Sequence, residues 1–179
     1  VDLQGVCMSD TLFVATGGNG TILTSPDTIA WTAQTSPRKT FLSSVEHSPT
    51  GFVAAGDLGT LLFSANGVNW EDKSPNTTNW IYRARWRSGQ WIALGQNGAL
   101  YTSPNGTTWT PRTTGVTTWL NDVTYIEGTY YAVGTQGTVL TSPDGITWSP
   151  ADSITGKTLY GAATSNGQLV TVGAEGVIL

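Results

Sequence analysis

The chain repeats itself every 39 residues without an insertion or a deletion. Trp31, Trp70, Trp109 and Trp148 keep that interval, as do Ser25, Ser64, Ser103 and Ser142. Two glycine series keep it too: Gly17, Gly56, Gly95, Gly134, Gly173 and Gly20, Gly59, Gly98, Gly137, Gly176. A fixed period of this length marks a repeat architecture, in which each unit is one supersecondary element that buries its apolar faces only against its neighbours. The units run 3–41, 42–80, 81–119 and 120–158, with a partial unit at 159–179.

One unit reads as four short strands. In the fourth, "LNDVTYIEG" opens at Leu120 and turns at Gly128, and "YYAVG" follows to Gly134. "TVLTS" then runs from Thr138 to Ser142, and "ITWSP" leaves the turn "PDG" from Ile146. Short β-branched and aromatic runs bounded by turn residues predict an antiparallel meander. The second runs "FVAA" (52–55), "WIAL" (91–94) and "YYAV" (130–133) are apolar throughout, as strands covered on both faces are. A four-stranded sheet greasy on both sides must be sandwiched between copies of itself. Radial stacking of such sheets is a β-propeller, so the expected class is all-β, a single propeller domain over 1–179. The expected blade count is five, the last lacking its outer strand. Two arrangements stay open: a five-bladed ring with a short last blade, or part of a larger propeller. The chain begins with valine and is read as a processed protein or a piece of a longer one. An incomplete fifth sheet would expose an edge suited to self-association or to a partner strand.

The turn "SPDG" places an acid beside a tryptophan, which raises the question of catalysis. Repetition answers it. Asp27 and Asp144 are replaced by Asn66 and Asn105 at the equivalent positions. A general acid would not survive that exchange, whereas a turn acceptor would. Asp27, Asn66, Asn105 and Asp144 are therefore read as structural, with Trp31, Trp70, Trp109 and Trp148 laying their rings over the neighbouring unit.

The unit resembles the Asp-box (BNR-like) repeat of sialidases and photosystem-assembly propellers over the whole chain. The family pattern is Ser-x-Asp-x-Gly-x-x-Trp, and this sequence has Ser-Pro-Asp-Gly-x-x-Trp, one residue shorter between acid and glycine. It is closer to the bacterial secreted variant that reads "GxxGTILTSPDGITWT". The resemblance implies a box that is a fold element away from the active site, and a secreted, extracellular setting.

Charged residues make up only 11% of the chain and the net charge is −4, which argues against a nucleic-acid partner. No apolar run approaches the ~18 residues of a membrane span. Cys7 and His47 each stand alone, which leaves no thiolate metal site and no motif for a nucleophilic triad. No metal and no cofactor is expected, and Cys7 is read as a small buried hydrophobe.

Candidate ligand residues fall at two repeat positions. Phe41, Trp80 and Trp119 share one, a series that Thr158 breaks. They suit an aromatic collar at the channel mouth, although such rings also pack between blades. The other position lies inside the channel and reads Gly5, Ser44, Arg83, Asp122, Gly161. Arg83 and Asp122 are placed to pair across adjacent units. The expected function is a non-enzymatic binding scaffold for a glycan or a protein surface, with quasi-equivalent sites. An assembly or appendage component, such as a virion tail part, shares the same fold. A sialidase-like glycosidase needs two axial carboxylates, and only Asp122 and Glu46 are on offer.

Overall fold

The computed structural model describes residues 1–179, and it is all-β. Four sheets have four strands each. The first holds β1 (Leu3–Met8), β2 (Phe13–Gly17), β3 (Ile22–Ser25) and β4 (Thr32–Gln34). The second holds β5 (Leu42–Ser48), β6 (Gly51–Gly56), β7 (Leu61–Ser64) and β8 (Glu71–Asp72). In the third come β9 (Ile81–Arg87), β10 (Gln90–Gly95), β11 (Leu100–Ser103) and β12 (Thr110–Pro111). The fourth holds β13 (Leu120–Ile126), β14 (Thr129–Gly134), β15 (Val139–Ser142) and β16 (Ser149–Pro150). Each is an antiparallel meander in chain order. A fifth sheet has β17 (Leu159–Ser165) and β18 (Gln168–Gly173), with a short bridge from Val172 to Ile178 in place of a full third strand.

The sheets stack face to face. Val14 and Ile22 of the first meet Val45, Phe52, Ala54, Leu62 and Trp70 of the second. Val53, Ala55 and Leu61 on the other side of the second meet Ala84, Trp91 and Ala93 of the third. Ile92, Leu94 and Leu100 then meet Val123, Tyr130, Ala132, Leu140 and Trp148 of the fourth. The alternation along each strand therefore sends successive apolar residues to opposite neighbours, which is why the runs Phe52–Ala55, Trp91–Leu94 and Tyr130–Val133 are apolar throughout. The two end faces are bare: Val6 and Trp31 of the first sheet, and Val170 and Val172 of the fifth, are exposed. No hydrogen bond joins the first sheet to the fifth. The sheets thus form an arc whose two ends do not meet.

Second and third strands are joined by the Gly-x-x-Gly links, which form tight turns. Asn19, Leu58, Asn97, Gln136 and Glu175 adopt φ between 51° and 58°, each followed by a left-handed glycine. Two consecutive left-handed residues match the right-handed twist of a hairpin. At Gly137 a side chain is also excluded by space, since a Cβ there would collide with the Thr155 carbonyl oxygen.

The serine–proline–acid–glycine turn closes on itself. Ser142 Oγ accepts the Gly145 N–H at 2.8 Å and donates to Asp144 Oδ1 at 2.9 Å. Asp144 Oδ1 accepts the Ile146 and Thr147 N–H groups at 2.8 and 2.7 Å. Asn66 and Asn105 accept the equivalent pairs at 2.9–3.2 Å through their amide oxygens. The Trp148 indole N–H donates back to the Gly145 carbonyl at 2.9 Å, and its ring is buried against the third sheet. These acids are turn acceptors.

Candidate ligand-binding site

The inner strand of each sheet, β1, β5, β9, β13 and β17, has one edge with no partner strand. Its N–H groups need other acceptors. Side chains of the preceding sheet supply them. Ser44 Oγ accepts the Ala84 N–H at 3.3 Å, Glu46 Oε1 the Trp86 N–H at 2.9 Å, and Asp122 Oδ2 the Ala162 N–H at 3.3 Å. A bulge at the second residue of each inner strand turns further side chains toward the next blade. Ser43 Oγ donates to the Tyr82 carbonyl and Asn121 Nδ2 to the Leu159 carbonyl, both at 2.8 Å.

Onto this frame β9 brings Arg83, Arg85 and Arg87 on one face. Arg83 pairs with Asp122 at 3.0 Å, across the third and fourth sheets. Arg85 reaches both ways: Nε to Asp122 Oδ1 at 2.9 Å and Nη1 to Glu46 Oε2 at 2.9 Å. Arg87 Nη1 meets Glu46 Oε1 at 2.7 Å. Burial works against the charge of Arg85, but the hydrogen bond and charge of Asp122, then those of Glu46, outweigh it and lift its pKa above the ordinary arginine range. Sequence spacing pointed to Arg83 and Asp122 as a pair. It missed the central role of Arg85, which sits two residues on. Three guanidiniums face two carboxylates, so the cluster is locally positive in an acidic chain.

Arg83 and Arg85 line a polar cleft of about 210 Å³ together with Gly5, Val6, Ser43 and Ser44. Arg83 keeps its Nε and Nη2 hydrogens free of protein partners, and Arg87 uses only Nη1.

The aromatic residues sit nearby. Phe41 and Trp80 meet edge to face at 5.8 Å between ring centres, and Trp80 and Trp119 at 6.0 Å. The three form a ladder across successive sheets, each ring half-buried. Their carbonyls are fixed by N–H groups of the tight turns: Asp57, Gln96 and Thr135 donate to Phe41, Trp80 and Trp119, each at 2.9 Å. The Gly-x-x-Gly links and the segments that precede each inner strand are therefore bonded to one another. The Trp80 indole donates to Ser43 Oγ at 3.1 Å, and Ser43 lines the cleft. The Trp80 ring thus adjoins the cleft that Arg83 and Arg85 line.

The lone chemical side chains lie elsewhere. Cys7 is half-buried against the core between the first two sheets, and desolvation, followed by the charge of Glu46, pushes its thiol up to about 12. His47 stacks on Phe52 at 4.5 Å. No helix is long and apolar enough to cross a membrane.

Comparison with known proteins agrees with the propeller architecture. The family model described as "DUF6242 beta propeller domain" matches residues 95–179. No curated protein matches the chain. Among solved structures, YCF48 from Cyanidioschyzon merolae superposes with a TM-score of 0.72 at 18% identity, over 97% of this chain and 67% of that one. A structure described as YCF48 bound to D1 peptide gives 0.71 at 16% identity, over 96% and 60%. The WD40 β-propeller domain of Doa1 gives 0.80 at 11% identity, over 99% and 64%. The chain spans about two thirds of these neighbours or less.

Proposed function

We propose that this chain is a non-enzymatic scaffold that binds a protein segment, an extended acidic peptide, along the cleft that Arg83 and Arg85 line and the Trp80 ring adjoins. The observation that carries this reading is the spare donor capacity of Arg83 beside the cleft. A guanidinium has five N–H donors in a planar fork suited to carboxylates. Arg83 commits one nitrogen to Asp122 and offers the rest. The Trp80 ring, whose indole donates to the cleft residue Ser43, and the Trp119 ring packed on it add rigid apolar area at low entropic cost. A structural neighbour bound to a peptide supports the same use of the fold. An Asp-box kinship and an extracellular setting belong to this reading.

The carboxylates explain why catalysis is not proposed. Asp122 is almost fully buried and receives Arg83, Arg85, Val123 and Ala162. Glu46 receives Arg85, Arg87 and the Trp86 N–H. Both carboxylates are engaged as ion-pair and backbone acceptors, which supports the non-enzymatic reading. Glycan binding is the second reading, carried by the half-exposed indoles. It is weaker because sugars stack on ring faces, and in this ladder edges of neighbouring rings already meet faces.

Selection from a random nine-residue peptide library tests the proposal. Enriched peptides are expected to carry Asp or Glu beside an apolar residue, and to lose at least about tenfold in affinity to Arg83→Ala under conditions where that variant is folded. Peptides that bind Arg83→Ala as well as the parent, or strong hits on a glycan array instead, would sink it. Turnover of an aryl glycoside that disappears in Asp122→Asn would sink the non-enzymatic part.

A further inference from the structure

The inner strands cap their own unpaired edges by a rule, and the rule fails at one place. The residue 40 positions before an edge N–H supplies its acceptor: Ser44 for Ala84, Glu46 for Trp86 and Asp122 for Ala162. Asp122 shows the arrangement at its fullest. Its carboxylate receives the Ala162 N–H at 3.3 Å, Arg83 at 3.0 Å and Arg85 at 2.9 Å. Between the first and second sheets the same rule points to Gly5 and the Val45 N–H. Val45 stands one period before Ala84 and pairs in the same register, so its N–H faces the same unpaired edge. Gly5 has no side chain to meet it. A Cβ at residue 5 would lie 2.9 Å from the Val45 nitrogen and 2.7 Å from Thr16 Oγ1, so the backbone beside it excludes one.

The groups left over at this place are donors. Ser44 is only 9% exposed, and its Oγ accepts the Ala84 N–H while its own hydrogen has no acceptor. The next donor along the chain is the Val45 N–H. Arg83 holds Nε and Nη2 free. Gly5, Ser44, Val45, Arg83 and Arg85 all line the cleft of about 210 Å³, and no carboxylate lines it with them. Donors that converge without an acceptor are suited to an oxyanion, and charge assistance from a guanidinium strengthens the bonds. Charge balance sets the size of the demand. Arg83, Arg85 and Arg87 face Asp122 and Glu46, which leaves one positive charge uncompensated.

We propose that this part of the cleft is a seat for one carboxylate, carried on an acidic side chain of the bound segment, which takes at Gly5 the place that Asp122 holds three periods on. One oxygen accepts the Val45 N–H and the Ser44 hydroxyl, and the other accepts the planar fork of Arg83. The proposal rests on the peptide reading above for what carries the acid, and adds the groups that receive it. A single uncompensated charge favours a carboxylate over a phosphate dianion.

The test titrates the isotope-labelled full chain with aspartate blocked at both ends, as the N-acetyl α-amide, so that its side chain holds the one carboxylate. The Val45 amide proton should move downfield and saturate, with a Kd on the order of 1–10 mM. The matching asparagine compound should leave it in place. Ser44→Ala should weaken binding by about threefold or more, the loss of one hydrogen bond. The asparagine control needs no refolding, so it stays decisive if Ser44→Ala unfolds. A Val45 amide that stays put, or that moves equally with the asparagine compound, would overturn the proposal, as would inorganic phosphate binding more tightly there. Acidic peptides that depend on Arg83 yet leave the Val45 amide unmoved would sink this seat alone. Saturation at Val45 with no acidic peptide selected would support the seat and sink the peptide reading.

Discussion

Asp122 Oδ1 accepts the Nε hydrogen of Arg85 at 2.9 Å, across the boundary between the third and fourth sheets. The carboxylate is only 4% exposed and the guanidinium 27%. Asp122 also receives the Val123 and Ala162 N–H groups at 3.0 and 3.3 Å. It therefore joins three blades: its own, the one before and the one after. Removing one partner of a buried ion pair leaves the other uncompensated, which costs about 3 kcal/mol or more. Asp122→Ala should lower stability by about that amount in chemical denaturation. Asp122→Asn should cost less, because its one amide oxygen can still serve one of the two backbone donors, which meet different carboxylate oxygens. Equal losses in the two variants would mean that the charge contributes nothing beyond shape.

Asp144 should report on acid through a single turn. Backbone hydrogen bonds from Thr147 and Ile146 hold its pKa at about 2, down from an ordinary 3.8. A depressed carboxylate contributes stability that is complete above its unfolded value and is lost as pH falls through its folded value. The loss should therefore fall between about pH 4 and pH 2. Asn66 and Asn105 make the same turn with no proton to gain. Asp144→Asn should keep the fold at neutral pH and flatten the acid limb of the stability curve. An NMR titration of the Asp144 carboxyl carbon with a midpoint near 4 would contradict this.

Thr28 occupies the glycine position of the first turn. Its φ is +66°, close to the +72° of Gly145. A β-branched residue in this region is strained, by roughly 1–2 kcal/mol. Thr28→Gly relieves that strain but frees the unfolded chain, so the net gain should be about 0.5–1 kcal/mol. A rise in thermal midpoint checks it. A fall would show that the Thr28 hydroxyl, which donates to the Asp27 carbonyl at 2.6 Å, outweighs the strain.

The fold was readable because it rests on periodicity. The interval between Trp109 and Trp148 located the turns, and the unbroken run Tyr130–Val133 implied burial on both faces. The site was readable in part. Arg83 and Asp122 stood out because they share a repeat position one blade apart. Arg85 did not, since it pairs diagonally: its partner Glu46 is one period back but Asp122 lies 37 residues on, off the repeat. The bonds from Ser44, Glu46 and Asp122 to the next inner strand were hidden for another reason. They arise from how far each sheet is rotated against the last, which no spacing encodes. Phe41, Trp80 and Trp119 were found by position, but whether they meet each other or the blades depended on the same rotation.

Trp148 and Trp31 hold the same repeat position and should respond differently to truncation. Trp148 is 7% exposed and packs with Ile92, Leu94 and Tyr130, whereas Trp31 is 40% exposed on the bare face of the first sheet. Each indole donates to a backbone carbonyl three residues back, at 2.9 and 3.1 Å. The local hydrogen bond is thus matched, and the difference lies in packing. Trp148→Ala leaves a cavity between two sheets and should cost about 3–5 kcal/mol. Trp31→Ala removes a ring with a neighbour on one side only, and should cost about 1 kcal/mol or less. Denaturant unfolding of the two variants measures the contrast. Equal costs would mean that the first sheet's open face is covered in solution.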